Sequence, residues 1–332
     1  MRRNIVVSLY IFGTLLLMVG AVLYLRDRLQ QRQEITSPIY HWDVRSVDTM
    51  KYSRDISREK LNDTSFDEVI EGQVKDIAET GANYVAIGTP YDEEFVPMLK
   101  RWVEAARRHN LNVWFRGNFS GWEEWFGYSK IDRATHIIYT RQFILKHKDL
   151  FKDGDIFTSC PECENGANLD WGNPDSFEAH KAFLIVEYKA CKASFAEVRK
   201  KVGCGYYSMN GDIARAIMDK SMTAAVGGVV VVDHYVATPE QLAEDVRDFA
   251  KRSGGRVVLG EFGAPIPDIH GDLNEDKQAL WIDNALKDIS GINELIGVNY
   301  WVNKGGSTSI WKDSGEAKPA VEVLKKYYKA MN

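Results

Sequence analysis

From residue 38 onward, eight short apolar runs alternate with amphipathic helical stretches, a pattern that argues for a parallel sheet with helical crossovers. The strand candidates are Ile39–Val44, Tyr84–Gly88, Asn112–Gly117, Asp155–Cys160, Val202–Ser208, Val229–His234, Arg256–Glu261 and Gly297–Val302. Helix signals follow them. Phe66–Thr80 closes on Gly81, and Thr238-Pro239-Glu240-Gln241 reads as a capping box with Pro at the first helical position, its apolar stripe stopping before Gly254. Units of roughly 36 residues suit a (β/α)8 TIM barrel. A doubly wound open sheet fits less well, because no G-x-G-x-x-G follows the first strand and polar and aromatic residues cluster after nearly every strand.

Ahead of the barrel, Ile5 to Leu25 is uncharged, with Arg2 and Arg3 before it and Arg26, Asp27 and Arg28 after it. At ~1.5 Å per residue its 21 residues match one bilayer core. Val19-Gly20-Ala21 would suit a signal peptidase, but the apolar run continues past it, so an uncleaved anchor is expected, with secretion after cleavage as the alternative. The Lys/Arg balance across the span does not set its orientation. The short tail and large following domain favour an extracytoplasmic barrel at the cell surface or in the periplasm. The expected organisation is a tail at 1–4, a transmembrane signal anchor at 5–25, a polar stalk at 26–37 and a barrel at 38–332.

Lys and Arg number 42 against 47 Asp and Glu, a net charge of −5, which disfavours a nucleic-acid partner held through phosphates. Barrel enzymes work at the C-terminal ends of their strands. Here those ends carry His41-Trp42-Asp43, Thr89 and Tyr91, Arg116 and Asn118, Glu162, Tyr206-Tyr207, Asp233-His234-Tyr235, Glu261 and Asn299-Tyr300-Trp301. A Glu at the tip of Val257-Val258-Leu259, flanked by Gly260 and Gly263, is ill suited to core packing and open to a ligand. Strands four and seven of a barrel face each other across its mouth, so Glu162 and Glu261 form the pair that glycoside cleavage needs. One protonates the leaving oxygen, and the other attacks the anomeric carbon or activates water.

Gly260-Glu261-Phe262-Gly263 resembles the nucleophile segment of the family 5 cellulase and mannanase group of clan A glycoside hydrolases. Pro161-Glu162-Cys163-Glu164-Asn165-Gly166 is similar to the Asn-Glu-x-x-Asn-Gly of clan members such as the β-1,4-galactanases. The resemblance covers roughly residues 38–330. It implies a retaining glycosidase that acts by double displacement on a β-linked polysaccharide or cell-surface glycan, without cofactor or metal. By it Glu162 is the acid/base, Glu261 the nucleophile, Tyr235 a hydrogen-bond donor to that nucleophile, and Trp301 the floor of the sugar subsite. Arg116, Asn118, Asn299, Asp233 and Trp171 complete the expected substrate-binding set. The clan's Asn before the acid/base is Pro161 here, and its His two residues before the Tyr is Asp233, with His234 expected on the opposite face. These departures keep a catalytically inactive glycan-binding barrel as the alternative, and Glu164 as the rival acid/base.

Trp114, Trp122, Trp125, Phe126 and Trp171 fall near strands three and four, where rings could border a sugar groove or pack in the core. Cys160 and Cys163 form C-x-x-C, and Cys191 and Cys204 complete the set. With no His nearby a zinc site is disfavoured, and disulfides are expected outside the cytoplasm, with Cys160 or Cys163 near Cys204. Gly305-Gly306 after the last strand offers only weak support for phosphate binding.

Overall fold

The computed structural model describes residues 42–331. The apolar run at 5–25 and the stalk at 26–37, and with them the expected anchor, lie outside the described residues. Among the described residues no helix is long and apolar enough to cross a membrane.

The described residues contain eight strands: β1 Val44–Asp48, β2 Tyr84–Ile87, β3 Asn112–Phe115, β4 Ile156–Phe157, β5 Ser208–Asn210, β6 Val229–Asp233, β7 Arg256–Phe262 and β8 Leu295–Tyr300. All pair in parallel, in the order β4-β3-β2-β1-β8-β7-β6-β5. Between β4 and the stretch before β5, a parallel bridge joins Ile156 to Gly203, and Thr158 Oγ1 donates to the Tyr206 carbonyl at 2.8 Å. This curled sheet with its helices fits a (β/α)8 barrel.

The principal helices are α1 Phe66–Glu79, α2 Val96–Arg108, α3 Arg133–Lys146, α4 Pro174–Glu197, α5 Gly211–Ile217, α6 Pro239–Ser253, α7 Glu275–Ile289 and α8 Pro319–Ala330. Both ends of α6 follow from local chemistry. Thr238 Oγ1 accepts the Gln241 N–H, and Gly254 closes the helix in the left-handed region at φ 59°. Strand alternation separates two apolar layers: Val85, Ile87, Val113 and Phe115 pack outward in the main core, whereas Ala86, Trp114, Val231 and Val258 form a second cluster inside the ring. Polar side chains at the C-terminal ends of the strands take over from that inner cluster.

Two strands differ from expectation. The first strand runs from Val44 to Asp48, so Trp42 and Asp43 precede it instead of ending it, and Asp48 ends it; the earlier part of the expected run lies outside the described residues. Every residue of Val44–Asp48 is buried, Arg45 included, because its guanidinium donates to the Trp42 and Met331 carbonyls at 2.8 and 3.2 Å. Buried polar groups thus hide the apolar periodicity that would reveal this strand. The fifth begins at Ser208, where the expected run from Val202 ends. Gly203 makes only the bridge to Ile156, and Gly205 turns the chain with φ 80°.

Candidate active site

Arg116, one residue beyond β3, is buried and holds the polar layer together. Its Nη1 donates to Asp48 Oδ2 at 3.0 Å and to the Gly260 carbonyl at 2.6 Å. Its Nη2 reaches Ser208 Oγ at 3.1 Å, Asp233 Oδ2 at 3.0 Å and Glu261 Oε1 at 3.1 Å. Asn299 Nδ2 adds donors to Asp48 Oδ2 at 3.2 Å and the Gly260 carbonyl at 2.8 Å. Burial opposes the guanidinium charge, but Asp233, Glu261 and Asp48 outweigh it and hold Arg116 cationic.

Glu261 therefore sits at the end of β7 with both oxygens engaged, because Tyr235 Oη donates to Oε2 at 2.8 Å. Burial pushes its carboxyl up to about 7, against the pull of Arg116. Arg116 and Tyr235 favour the charged carboxylate, but desolvation outweighs them. Asp233 is pushed up as well, chiefly by burial, and its Oδ1 has no partner. Burial, then the adjacent Glu261, raises Tyr235 and keeps its hydroxyl a donor. His234 turns to the opposite face, as expected, where Nε2 meets Asp245 Oδ2 at 2.8 Å.

Glu162 lies beyond β4, partly exposed, with backbone φ 43°. Its N–H donates to the Ser208 carbonyl at 2.8 Å, and its Oε2 faces Asn165 Nδ2 at 3.4 Å. Its charge reaches Arg116, Asp233 and Glu261, which places it in the same electrostatic site. Glu164 turns elsewhere: it opens the short helix 164–167, and Oε1 accepts the Asn210 N–H at 2.7 Å. Burial pushes Glu164 up to about 7. Glu123 is likewise raised to about 7, by burial with Arg54 opposing and Glu162 reinforcing it.

Trp301, directly after β8, stands edge-on to Tyr235 with centroids 6.1 Å apart, and Lys51 Nζ lies 5.6 Å from its ring centroid. Asn118 does not join this set. It is buried, its Oδ1 meeting His136 Nε2 at 2.9 Å and the Phe119 N–H at 2.8 Å, with Nδ2 on Cys160 Sγ at 3.5 Å. Trp171, 65% exposed, packs on Phe177 in the loop after β4, outside the Arg116 network. Trp114 lies buried inside the ring, and Trp122 is buried and stacks on Phe183 at 5.3 Å. Trp125 lies under the Arg54 guanidinium, 4.7 Å from its ring, and Phe126 similarly meets Arg58 at 4.9 Å.

Cys160 bonds Cys163, and Cys191 bonds Cys204. The expected approach of Cys160 or Cys163 to Cys204 is thus corrected: the C-x-x-C closes its own turn, and α4 presents Cys191 to Cys204, Cα atoms 6.3 Å apart. Sequence reasoning missed Asp48, Ser208 and Glu123. Asp48 was legible only through the correct start of β1, Ser208 only through the start of β5, and Glu123 carries no motif.

No family model and no curated protein sequence matches the chain. Solved structures do match in fold. GH5_18 from Streptomyces cattleya, in complex with GlcNAc, aligns over 88% of this chain and 81% of its own at 14% identity, with TM-score 0.66. The β-glycosidase BGL167 aligns over 88% and 96% at 13% identity, TM-score 0.58. A β-glucuronidase of Bifidobacterium dentium aligns over 87% of this chain but 46% of its own, at 15% identity and TM-score 0.60. In fold, then, this chain is similar to these solved glycosidase structures.

Proposed function

We propose that the protein is a retaining glycoside hydrolase acting on a β-linked polysaccharide or cell-surface glycan. The observation that carries this reading is Glu261 at the tip of β7, gripped by Arg116 and Tyr235, in electrostatic reach of Glu162 beyond β4. In this reading Glu261 attacks the anomeric carbon while Glu162 gives its proton to the leaving oxygen. Glu162 then takes a proton from the water that releases the sugar. Tyr235 and Arg116 orient Glu261 and disperse its charge, and Trp301 presents an apolar face to the sugar ring. Asp233 and Asn299 support the nucleophile through Arg116 and the Gly260 carbonyl.

The domain is proposed to work outside the cytoplasm, anchored by residues 5–25, or secreted if that run is cleaved. The two disulfides agree with an oxidising compartment.

The test is sugar release by the full chain from β-glucans, mannans, xylans and galactans. Aryl β-glycosides of glucose, mannose, N-acetylglucosamine and glucuronic acid extend the panel, the last two chosen because the neighbours above carry such ligands or names. Wild type is expected to release sugar from at least one substrate and Glu261→Gln from none. An activated 2-deoxy-2-fluoro glycoside should leave its sugar covalently on the peptide containing Glu261. Pro161 and Asp233, at positions where the resembling enzymes carry Asn and His, favour one second reading, a glycan-binding barrel without activity. Binding without any release would establish that reading instead.

A further inference from the structure

The segment carrying Glu162 is closed upon itself. Cys160 and Cys163 are bonded with Cα atoms 5.0 Å apart, so Pro161 and Glu162 form the tip of a small covalent loop. Glu162 occupies φ 43°, a backbone region that a residue bearing Cβ holds only when its surroundings over-determine it. Its own backbone bonds are few: its N–H to the Ser208 carbonyl at 2.8 Å, and its carbonyl from the Asn165 N–H at 2.9 Å.

The bridge, by contrast, is fixed from both sides. Cys160 and Cys163 are buried. Asn118 Nδ2 donates to Cys160 Sγ at 3.5 Å, and Asn118 is itself held by His136, whose other ring nitrogen meets Glu187 at 3.1 Å. Trp122 Nε1 donates to the Cys163 carbonyl at 3.0 Å, and its ring stacks on Phe183. The polar core between α3 and α4 thus grips the two cysteines, and the cysteines grip Glu162.

The geometry points to the Cys160–Cys163 bridge as the positioning device of the general acid, with Asn118 and Trp122 as its buttresses. This rests on the reading of Glu162 as acid/base. It also accounts for Asn118, which lies close in sequence to Arg116 yet turns away from the polar layer. A clamp of this kind acts where the direction of the carboxyl matters, in proton transfer to the leaving oxygen. In that first step it has little to do when the leaving group needs no proton.

The experiment compares the full-length wild type with Cys160→Ala/Cys163→Ala, and with Cys191→Ala/Cys204→Ala as a control that removes the other bridge. The probes are two aryl glycosides of whichever sugar the wild type cleaves, one with phenol and one with 2,4-dinitrophenol as leaving group. Loss of the clamp is expected to lower kcat/KM on the phenyl glycoside by about 10- to 100-fold, the scale of a small misplacement of a catalytic group. On the dinitrophenyl glycoside the change in kcat/KM stays within about threefold, since kcat/KM reports the step in which the leaving group departs, and an activated one departs without acid assistance. Amide exchange at 162–164 should accelerate in the same variant, and neither readout should change in the control. An equal loss on both substrates with unchanged exchange overturns the proposal, as does full retention of the wild-type ratio. If the double variant does not fold, Cys163→Ala alone is read by the same two measurements. A wild type that cleaves no glycoside removes the glycosidase reading, and amide exchange then judges the clamp alone: faster exchange sustains it and unchanged exchange ends it.

Discussion

Arg116 meets Asp48, Asp233 and Glu261 with a single charge, and replacing it would leave three carboxylates buried together. Arg116→Ala is expected to lower unfolding free energy by about 3–5 kcal/mol, the scale for an uncompensated buried charge, measurable by urea denaturation. A loss under about 1 kcal/mol would mean that the carboxylates take up protons freely and need no cation. Glu261 sets a second expectation. As a nucleophile it works ionised, and burial holds its carboxyl up at about 7, so kcat/KM on an aryl glycoside should rise as pH increases through about 7. A profile flat from pH 5 to 8 would contradict that assignment. The functional residues legible from sequence were those ending apolar strands, Glu261 and Tyr235 above all. Asn118 follows such a run too, yet its side chain meets His136 instead of joining the Arg116 network.

Among the elements, β6 and β7 run so close that Gly260 has no room for a side chain. A Cβ there would meet Val231 Cγ1 at 2.7 Å and the Asp233 carboxylate. The register between these strands shifts at Val232/Asp233, which brings Asp233 opposite Glu261. Gly260→Ala is therefore expected to cost about 1–3 kcal/mol through overpacking, and to reduce turnover by moving Asp233 and Glu261 apart. A variant with wild-type stability and activity would show that the bulge accommodates a methyl group. The periodic elements were the readable ones: α6 announced its start by Thr238 and its stop by Gly254, and β6 is an unbroken run of valines before Asp233. The β1 strand announced neither, because Arg45, Ser46 and Asp48 are buried through hydrogen bonds and ring position rather than by being apolar.

Across the whole molecule, protonation and cross-linking both enter stability. Glu123, Glu164 and Glu261 are held near 7 in the folded chain, above their ordinary value of 4.5. Between those values the folded state binds more protons than the unfolded one, so stability should fall as pH rises from about 4.5 to 7. Glu164→Gln should flatten part of that slope in thermal melts, and an unchanged slope would mean that its carboxylate is already ionised. The Cys191–Cys204 bridge spans 13 residues between α4 and the approach to β5. Cys191→Ala/Cys204→Ala should lower stability by about 2–4 kcal/mol in urea, and a negligible change would show that packing alone holds α4 there. The amino-acid sequence by itself determined the alternation of strands and helices, hence the barrel, and the two acidic strand ends, because local periodicity and helix capping act over a few residues. Tertiary structure alone decided which cysteines pair, that Asp48 and Ser208 join Arg116, and that Asn118 leaves the site. Those outcomes depend on strand register and on the direction of single side chains across the ring, which arise between segments distant in sequence.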